Sequence, residues 1–475
     1  MLRLLDDDQA GVRRAAQHGL QLVEEYRDSL GATDLRALAS RRLSALADLG
    51  LRSALRDGRP ALVLKWADRS RAAHLRRPPV SPPADATLAA ELARLRRIVA
   101  LRVKSVESGD PYRPDLIRQQ IAAERSIRDR RRHLPGQLQP GGAHVVGIPA
   151  LRDALGDTAL VEYIVSSGRL HAVTCARGRL DLHDLGSMAA VERLLTLIPF
   201  TLRRLTMPGR GGIRSAAAAA LARDGRALDQ LLLAPLAGRI GDSPLVIVPT
   251  AALQGIPWSI LPSCAGRPVS VAPSATLWHT ARATADHAAW TGTVLVCGPN
   301  LVHGPAEVAA LAELYPDARV LNGRAAPADE ALRAIDAADL AHIAAHGDFR
   351  ADNPQFSALR LGDGPLTVYD LERLRRAPRR LILSACDSAR TAVLAGDELL
   401  GLAPTFLALG GQAMVASVAL VPDAETLPLM ISLHSELRAG HQLATALANA
   451  QATARASGDS RSAAAAAAFI CIGAG

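Results

Sequence analysis

The sequence predicts an α/β fold, a mostly parallel sheet flanked by helices, preceded by an all-helical N-terminal region. Two patterns carry this. From residue 244 onward, short β-rich runs alternate with loops or helical segments, as strands joined by crossover connections do. Before residue 140, apolar residues recur at spacings of three and four, the period of a helix. A length of 475 residues also calls for more than one compact core.

The N-terminal elements come first. The stretch LGLRSALRDGRPALVLKWADRSRAAHL is helical, with Gly58 and Pro60 marking a helix–turn–helix joint. Pro78-Pro79-Val80-Ser81-Pro82-Pro83 then demands an extended crossover. Helix resumes from Asp85 to about His133, broken near Gly109–Pro111. Pro135 to Pro149, rich in glycine, is the clearest domain boundary. Helix pairs of this size resemble tetratricopeptide repeats, although no repeated consensus runs through the chain.

Beyond residue 155 the period shortens. ALVEYIV, RLHAVTCA and LDLHDL, separated by Ser-Ser-Gly and Arg-Gly-Arg, predict an antiparallel meander. Residues 187–237 are helical again. Strands are then predicted at PLVIVPT, TVLVCGP, ARVLNG, LAHIAAH, RRLILSAC and QAMVASVAL. The uncharged stretch Leu399 to Pro422 contains Pro404, Gly410 and Gly411, so it predicts a buried helix and a strand, not a membrane span.

Composition narrows the function classes. Hydrophobic residues at 49% and charged residues at 21% exclude a disordered chain. The five cysteines show no paired spacing, which excludes a disulfide scaffold or zinc ribbon and suits a reducing compartment. The start, MLRLLDDDQAG, is not a signal-peptide pattern, and a soluble cytoplasmic protein is expected. Residues 1–140 hold 27 Lys+Arg against 17 Asp+Glu, and the rest of the chain holds 28 against 29. The +9 net charge is therefore N-terminal. Only Tyr26, Trp66 and Tyr112 accompany those arginines, too few aromatics for a nucleic-acid footprint, so a solvated helical face is expected.

Reactive groups of a doubly wound sheet collect beyond the carboxyl ends of its strands. LAHIAAH ends at His346-Gly347-Asp348, and RRLILSAC ends at Cys386-Asp387-Ser388. If the two strands are neighbours, the imidazole of His346 and the thiol of Cys386 have the parts for acyl transfer. The backbone N–H of Gly347 would face a developing oxyanion. The following DSARTAVLAG predicts a capped helix start, whose dipole would favour the thiolate. Spacing alone leaves a second reading open: Cys386 as a small core residue and His346 as a turn cap. A metal reading of His342 and His346 is poorer, since on a strand they stand ~13 Å apart. Of the other thiols, Cys175, Cys297 and Cys471 fall in apolar runs and should be buried, whereas Cys264, in the loop LPSCAGRP, should be exposed.

The blocks ADLAHIAAHGDFRADNPQFSALRLGDGPLTVYDL, LILSACDSART and GDELLGLAPTFLALGGQAMVASV, in that order, resemble those of the CHAT domain, a caspase-like cysteine peptidase family. PLVIVPTAALQGIPWSILP, SVAPSATL and the closing AAAFICIGAG extend the resemblance over roughly residues 155–475. It implies a caspase-like fold with His346 as catalytic histidine, Cys386 as nucleophile and Asp387 at an acidic position near the substrate pocket. The chain departs from the family where Val418-Ala419-Leu420 stand in place of a frequent Trp, which bears on the groove and not on the dyad.

The expected organisation is a helical, tetratricopeptide-like region at 1–140 and a CHAT domain at 150–475. Within the latter, 150–285 would be a degenerate half and 290–475 the half carrying the dyad. The expected function is a cysteine endopeptidase acting on a protein substrate, without cofactor or metal. A regulatory protein partner on the N-terminal helices would control it, with neither nucleic acid nor membrane involved. The rival is a non-catalytic signalling or scaffold protein that keeps the fold.

Overall fold

The computed structural model describes residues 8–28, 33–71, 85–110, 113–133, 145–206, 211–284, 290–323, 326–385, 388, 392–394 and 398–475. The helices are α1 (Gln9–Asp28), α2 (Thr33–Asp57), α3 (Pro60–Ser70), α4 (Ala86–Glu107), α5 (Pro114–His133), α6 (Ile148–Leu155), α7 (Met188–Thr206) and α8 (Gly211–Leu232). They continue as α9 (Ala275–Thr284), α10 (Gly304–Leu314), α11 (Ala328–Ile335), α12 (Leu402–Ala408), α13 (Asp423–Arg438), α14 (Leu443–Ala456) and α15 (Ser460–Ala467). The predicted crossover at 78–83 lies outside the described residues.

The predicted meander is present as β1 (Ala159–Ser166), β2 (Arg169–Ala176) and β3 (Arg179–Ser187), each antiparallel to the next. The later runs form β4 (Leu245–Val248), β5 (Val269–Val271), β6 (Thr293–Cys297), β7 (Arg319–Asn322), β8 (Leu340–Ala344), β12 (Arg380–Ser384), β15 (Ala413–Ser417) and β16 (Phe469–Gly473). Among the described residues these strands make one 11-stranded sheet, ordered β3-β2-β1-β4-β5-β16-β15-β12-β8-β6-β7. Beyond the meander its joins are parallel, except that β16 runs antiparallel to β15. The central strands are buried along their whole length, as a parallel sheet covered by helices on both faces requires. Two smaller sheets complete the fold: β9 (Gly347–Asp348), β10 (Ala358–Leu361) and β11 (Gly364–Thr367) in one, β13 (Ala392–Leu394) and β14 (Glu398–Leu400) in the other. No described helix is long and apolar enough to cross a membrane.

The N-terminal helices are not a free appendage. Ala16, Leu20, Leu51, Val63 and Trp66 share one core with the sheet strands. Leu88, Leu92, Leu95, Ile98, Ala123 and Ile127 of α4 and α5 instead pack with Phe356 and Tyr369 beside the small three-stranded sheet. Each of the buried leucine, isoleucine and valine side chains among them contributes ~1.5–3 kcal/mol on burial. Asp85 starts α4 by accepting from the N–H groups of Thr87 and Leu88.

Most basic residues of the described N-terminal helices are exposed, as a solvated face predicts, but three depart from it. Arg71, Arg96 and Arg131 are buried and spend their charge on the α/β domain. Arg71 lies 3.3 Å from Glu162, Arg96 2.9 Å from Asp370 and 2.7 Å from Asp329, and Arg131 is bonded to Glu372. Arginine suits this use, because its planar donor fork satisfies several acceptors at once. Part of the N-terminal excess is thus internal cement.

Candidate functional site

Strands β8 and β12 are adjacent and parallel, with His342 opposite Ile382 and Ala344 opposite Ser384. The N–H of Ala345 donates to the Ser384 carbonyl at 3.2 Å, so the register persists just past the strand ends. In sequence, His346 follows Ala345 and Cys386 follows Ala385. Cys386 and Asp387 themselves lie outside the described residues. The condition set by the sequence, that the two strands be neighbours, is met.

His346 is half-buried, and its Nε2 stands 3.1 Å from the carbonyl oxygen of Asn300, in the loop after β6. A carbonyl can only accept, so Nε2 carries hydrogen and Nδ1 of the neutral ring keeps its lone pair. Asn300 has φ +62°, in the left-handed region that asparagine tolerates better than most residues. Gly298 lets this loop come close: a Cβ there would stand 2.5 Å from the Arg360 carbonyl oxygen and 3.2 Å from the Ala345 Cβ. Gly347 pairs with Leu359 in the β9–β10 ladder, which fixes the chain immediately after His346.

His346, Gly347 and Asp348 open onto a cleft of about 450 Å³. Its opposite wall is made by α4 and α5, through Val99, Arg102, Ile117, Ile121 and Glu124. Arg350 crosses to Glu124 at 3.1 Å and grips Asp352 at 2.7 Å; the Asp352 carboxylate, ahead of Glu124, raises the guanidinium pKa. Sequence reading missed this wall and the Asn300 carbonyl. The only local signal for the latter was the Pro299-Asn300 turn at a strand end.

The helix expected after Cys386 is corrected at 392–394: Ala392–Leu394 is a strand, antiparallel to Glu398–Leu400. Ser388 is buried, and its Oγ accepts from the N–H of Ser417 at 3.1 Å, tying the segment to the end of β15.

The other four thiols are buried and free of disulfides. Burial pushes Cys264 and Cys471 up to about 12 and Cys297 up to about 11, and raises Cys175 as well. The expected exposure of Cys264 is wrong. Its loop folds into 3₁₀ turns that face the end of the sheet near Cys471, leaving the residue 2% exposed. None of these four is poised as a nucleophile at neutral pH.

His342 goes elsewhere than His346. It is fully buried, donating through Nε2 to Glu307 at 2.9 Å and accepting at Nδ1 from His434 at 3.1 Å, while Tyr315 donates to His434 at 3.2 Å. This chain satisfies every ring nitrogen with both histidines neutral, and burial holds His434 well below its ordinary pKa. No group of three or more His, Cys, Asp or Glu among the described residues is arranged to hold a metal.

The CHAT domain family model matches residues 222–474, more than half of the chain. The chain belongs to the CHAT domain family. No curated protein matches it in sequence. Among solved structures, it is similar to the Saccharomyces cerevisiae separase–securin complex at 3.0 Å resolution, with a TM-score of 0.57 and 11% identity over 97% of this chain and 37% of that one. The same complex at 2.6 Å resolution gives a TM-score of 0.50 and 9% identity, over 97% and 40% of the two chains. This CHAT protein therefore has the caspase-like fold and spans about two fifths of the length of those structural neighbours.

Proposed function

We propose that this CHAT protein is a cysteine endopeptidase of protein substrates, with His346 as general base and Cys386 as nucleophile. The observation that carries the reading is the half-buried His346 at the end of β8, its Nε2 on a carbonyl and its ring lining a cleft, beside the strand that leads into Cys386. Burial of the other four thiols supports Cys386 as the reactive one.

In the reaction, Nδ1 of His346 takes the thiol proton while the sulfur attacks the scissile carbonyl carbon. The resulting oxyanion is met by the N–H of Gly347. The C–N bond breaks, His346 returns the proton to the departing amine, and a thioester remains. Water then attacks the thioester, giving its proton to His346. The C–S bond breaks, the acid is released, and the proton returns to the sulfur. Asp387 contributes to the substrate pocket. Residues 1–140 form the regulatory region and 150–475 the peptidase domain, with 150–285 as its degenerate half. A protein partner on the N-terminal helices controls the cleft, since α4 and α5 form its wall. The free, unpaired thiols suit the cytoplasm.

The test is a comparison of new protein N-termini in cells carrying the wild-type chain or Cys386→Ala. Cleavages present only with the wild type support the peptidase. Identical sets would favour the scaffold reading.

A further inference from the structure

We propose that Glu107 and Asn300 are positioning residues for His346, and that through them the N-terminal helices set whether the site is competent. This rests on the peptidase reading and adds the route by which it is controlled.

Asn300 does two things at once. Its carbonyl receives Nε2 of His346 at 3.1 Å, and its side-chain Nδ2 donates to Oε1 of Glu107 at 2.8 Å. Glu107 is the last residue of α4, 193 positions earlier in the chain. One residue thus links a helix of the N-terminal region to the imidazole. The left-handed backbone of Asn300 is a sparsely populated conformation that persists when surrounding contacts hold it. The far end of the same loop is pinned separately, by Asp423 accepting from the N–H of His303 at 3.0 Å. A shift of α4 therefore acts on the Asn300 end.

The helix has a defined place from which to shift. Arg96, on the same α4, is clamped by Asp370 and Asp329, and Glu124 of α5 is held by Arg350. A partner that moves the α4–α5 pair would pull Glu107 from Asn300, free the carbonyl to rotate and release the ring of His346. The charged groups that share the cleft with His346 are Arg102, Glu124, Asp348, Arg350 and Arg360. Among the described residues, it is the Asn300 carbonyl and none of these that hydrogen-bonds the ring.

The experiment uses the full chain and iodoacetamide, with labelling of Cys386 followed by mass spectrometry at about pH 6, where an unactivated thiol is almost wholly protonated. Glu107→Ala should slow labelling about three- to tenfold, the size of one lost hydrogen bond acting through position. Asn300→Gly, which accepts a positive φ and keeps the carbonyl, should do the same, and the pair together should be no slower than either alone. Glu107→Gln still accepts from Asn300 and should label within about twofold of wild type. In a His346→Ala background, Glu107→Ala should have no further effect. Glu107 and Asn300 are exposed, so thermal midpoints should not move. Wild-type rates in Glu107→Ala and Asn300→Gly, while His346→Ala slows labelling, would overturn the coupling and leave the peptidase reading standing. No effect of His346→Ala would overturn both.

Discussion

The guanidinium of Arg96 stands 2.9 Å from the carboxylate of Asp370, both side chains are buried, and 274 residues separate them in sequence. Burial raises the Asp370 pKa and the Arg96 charge opposes that rise. Arg96 also reaches Asp329 at 2.7 Å and Asp363 at 3.2 Å, and Asp370 faces Arg373 at 3.4 Å, so the pair sits in a charge network that joins the N-terminal helices to the α/β domain.

Arg96→Met removes the nearer cation and leaves the buried Asp370 with Arg373 at 3.4 Å. Breaking a buried pair from one side costs about 3–5 kcal/mol. The exposed Arg94, 3.5 Å from Glu91, is the control, and Arg94→Ala should cost less than about 1 kcal/mol. Urea unfolding of the two variants checks this. Equal losses would mean the clamp does not join the two regions.

Gly298→Ala places a methyl group 2.5 Å from the Arg360 carbonyl oxygen, a backbone atom that cannot swing aside. Overpacking of this kind costs about 1–3 kcal/mol. The displaced loop carries Asn300, so labelling of Cys386 should slow along with the loss of stability. A variant as stable and as reactive as wild type would show that the loop does not need this close approach.

Alkaline stability reports the buried thiols. Cys264 and Cys471 ionise at about 12 in the folded chain, against an ordinary value of 9.0. Between those values the unfolded chain loses protons that the folded chain keeps, so stability is full below about pH 9 and falls as pH rises toward 12. Each thiol contributes a slope of up to about 1.4 kcal/mol per pH unit. Cys264→Ala should flatten the fall measured by urea unfolding at stepped pH. An unchanged slope would mean that Cys264 is exposed.

The central strands were legible because a buried parallel strand is an uninterrupted apolar run: LAHIA and RLILS read as strands without help from neighbours. The ends of those runs named His346 and Cys386, and the two strands that lead to them are neighbours. What was not legible came from contacts distant in sequence. Nothing near Arg96 announces Asp370, and nothing near Asn300 announces Glu107, so the cleft wall and the link to the imidazole could not be read locally. Two local readings failed for a related reason. The loop around Cys264 has the proline and glycine of a surface turn but is covered by the rest of the fold, and Ala392–Leu394 pairs as a strand where a helix was expected.

The most direct test of the peptidase reading is the inventory of new protein N-termini in cells carrying wild type, Cys386→Ala or His346→Ala, each at matched abundance. The reading expects a discrete set of cleavages with the wild type and its loss in both variants, since the two groups act as a unit. Cleavages that persist in Cys386→Ala, or an inventory with the wild type identical to that of both variants once the regulatory partner is present, would contradict it.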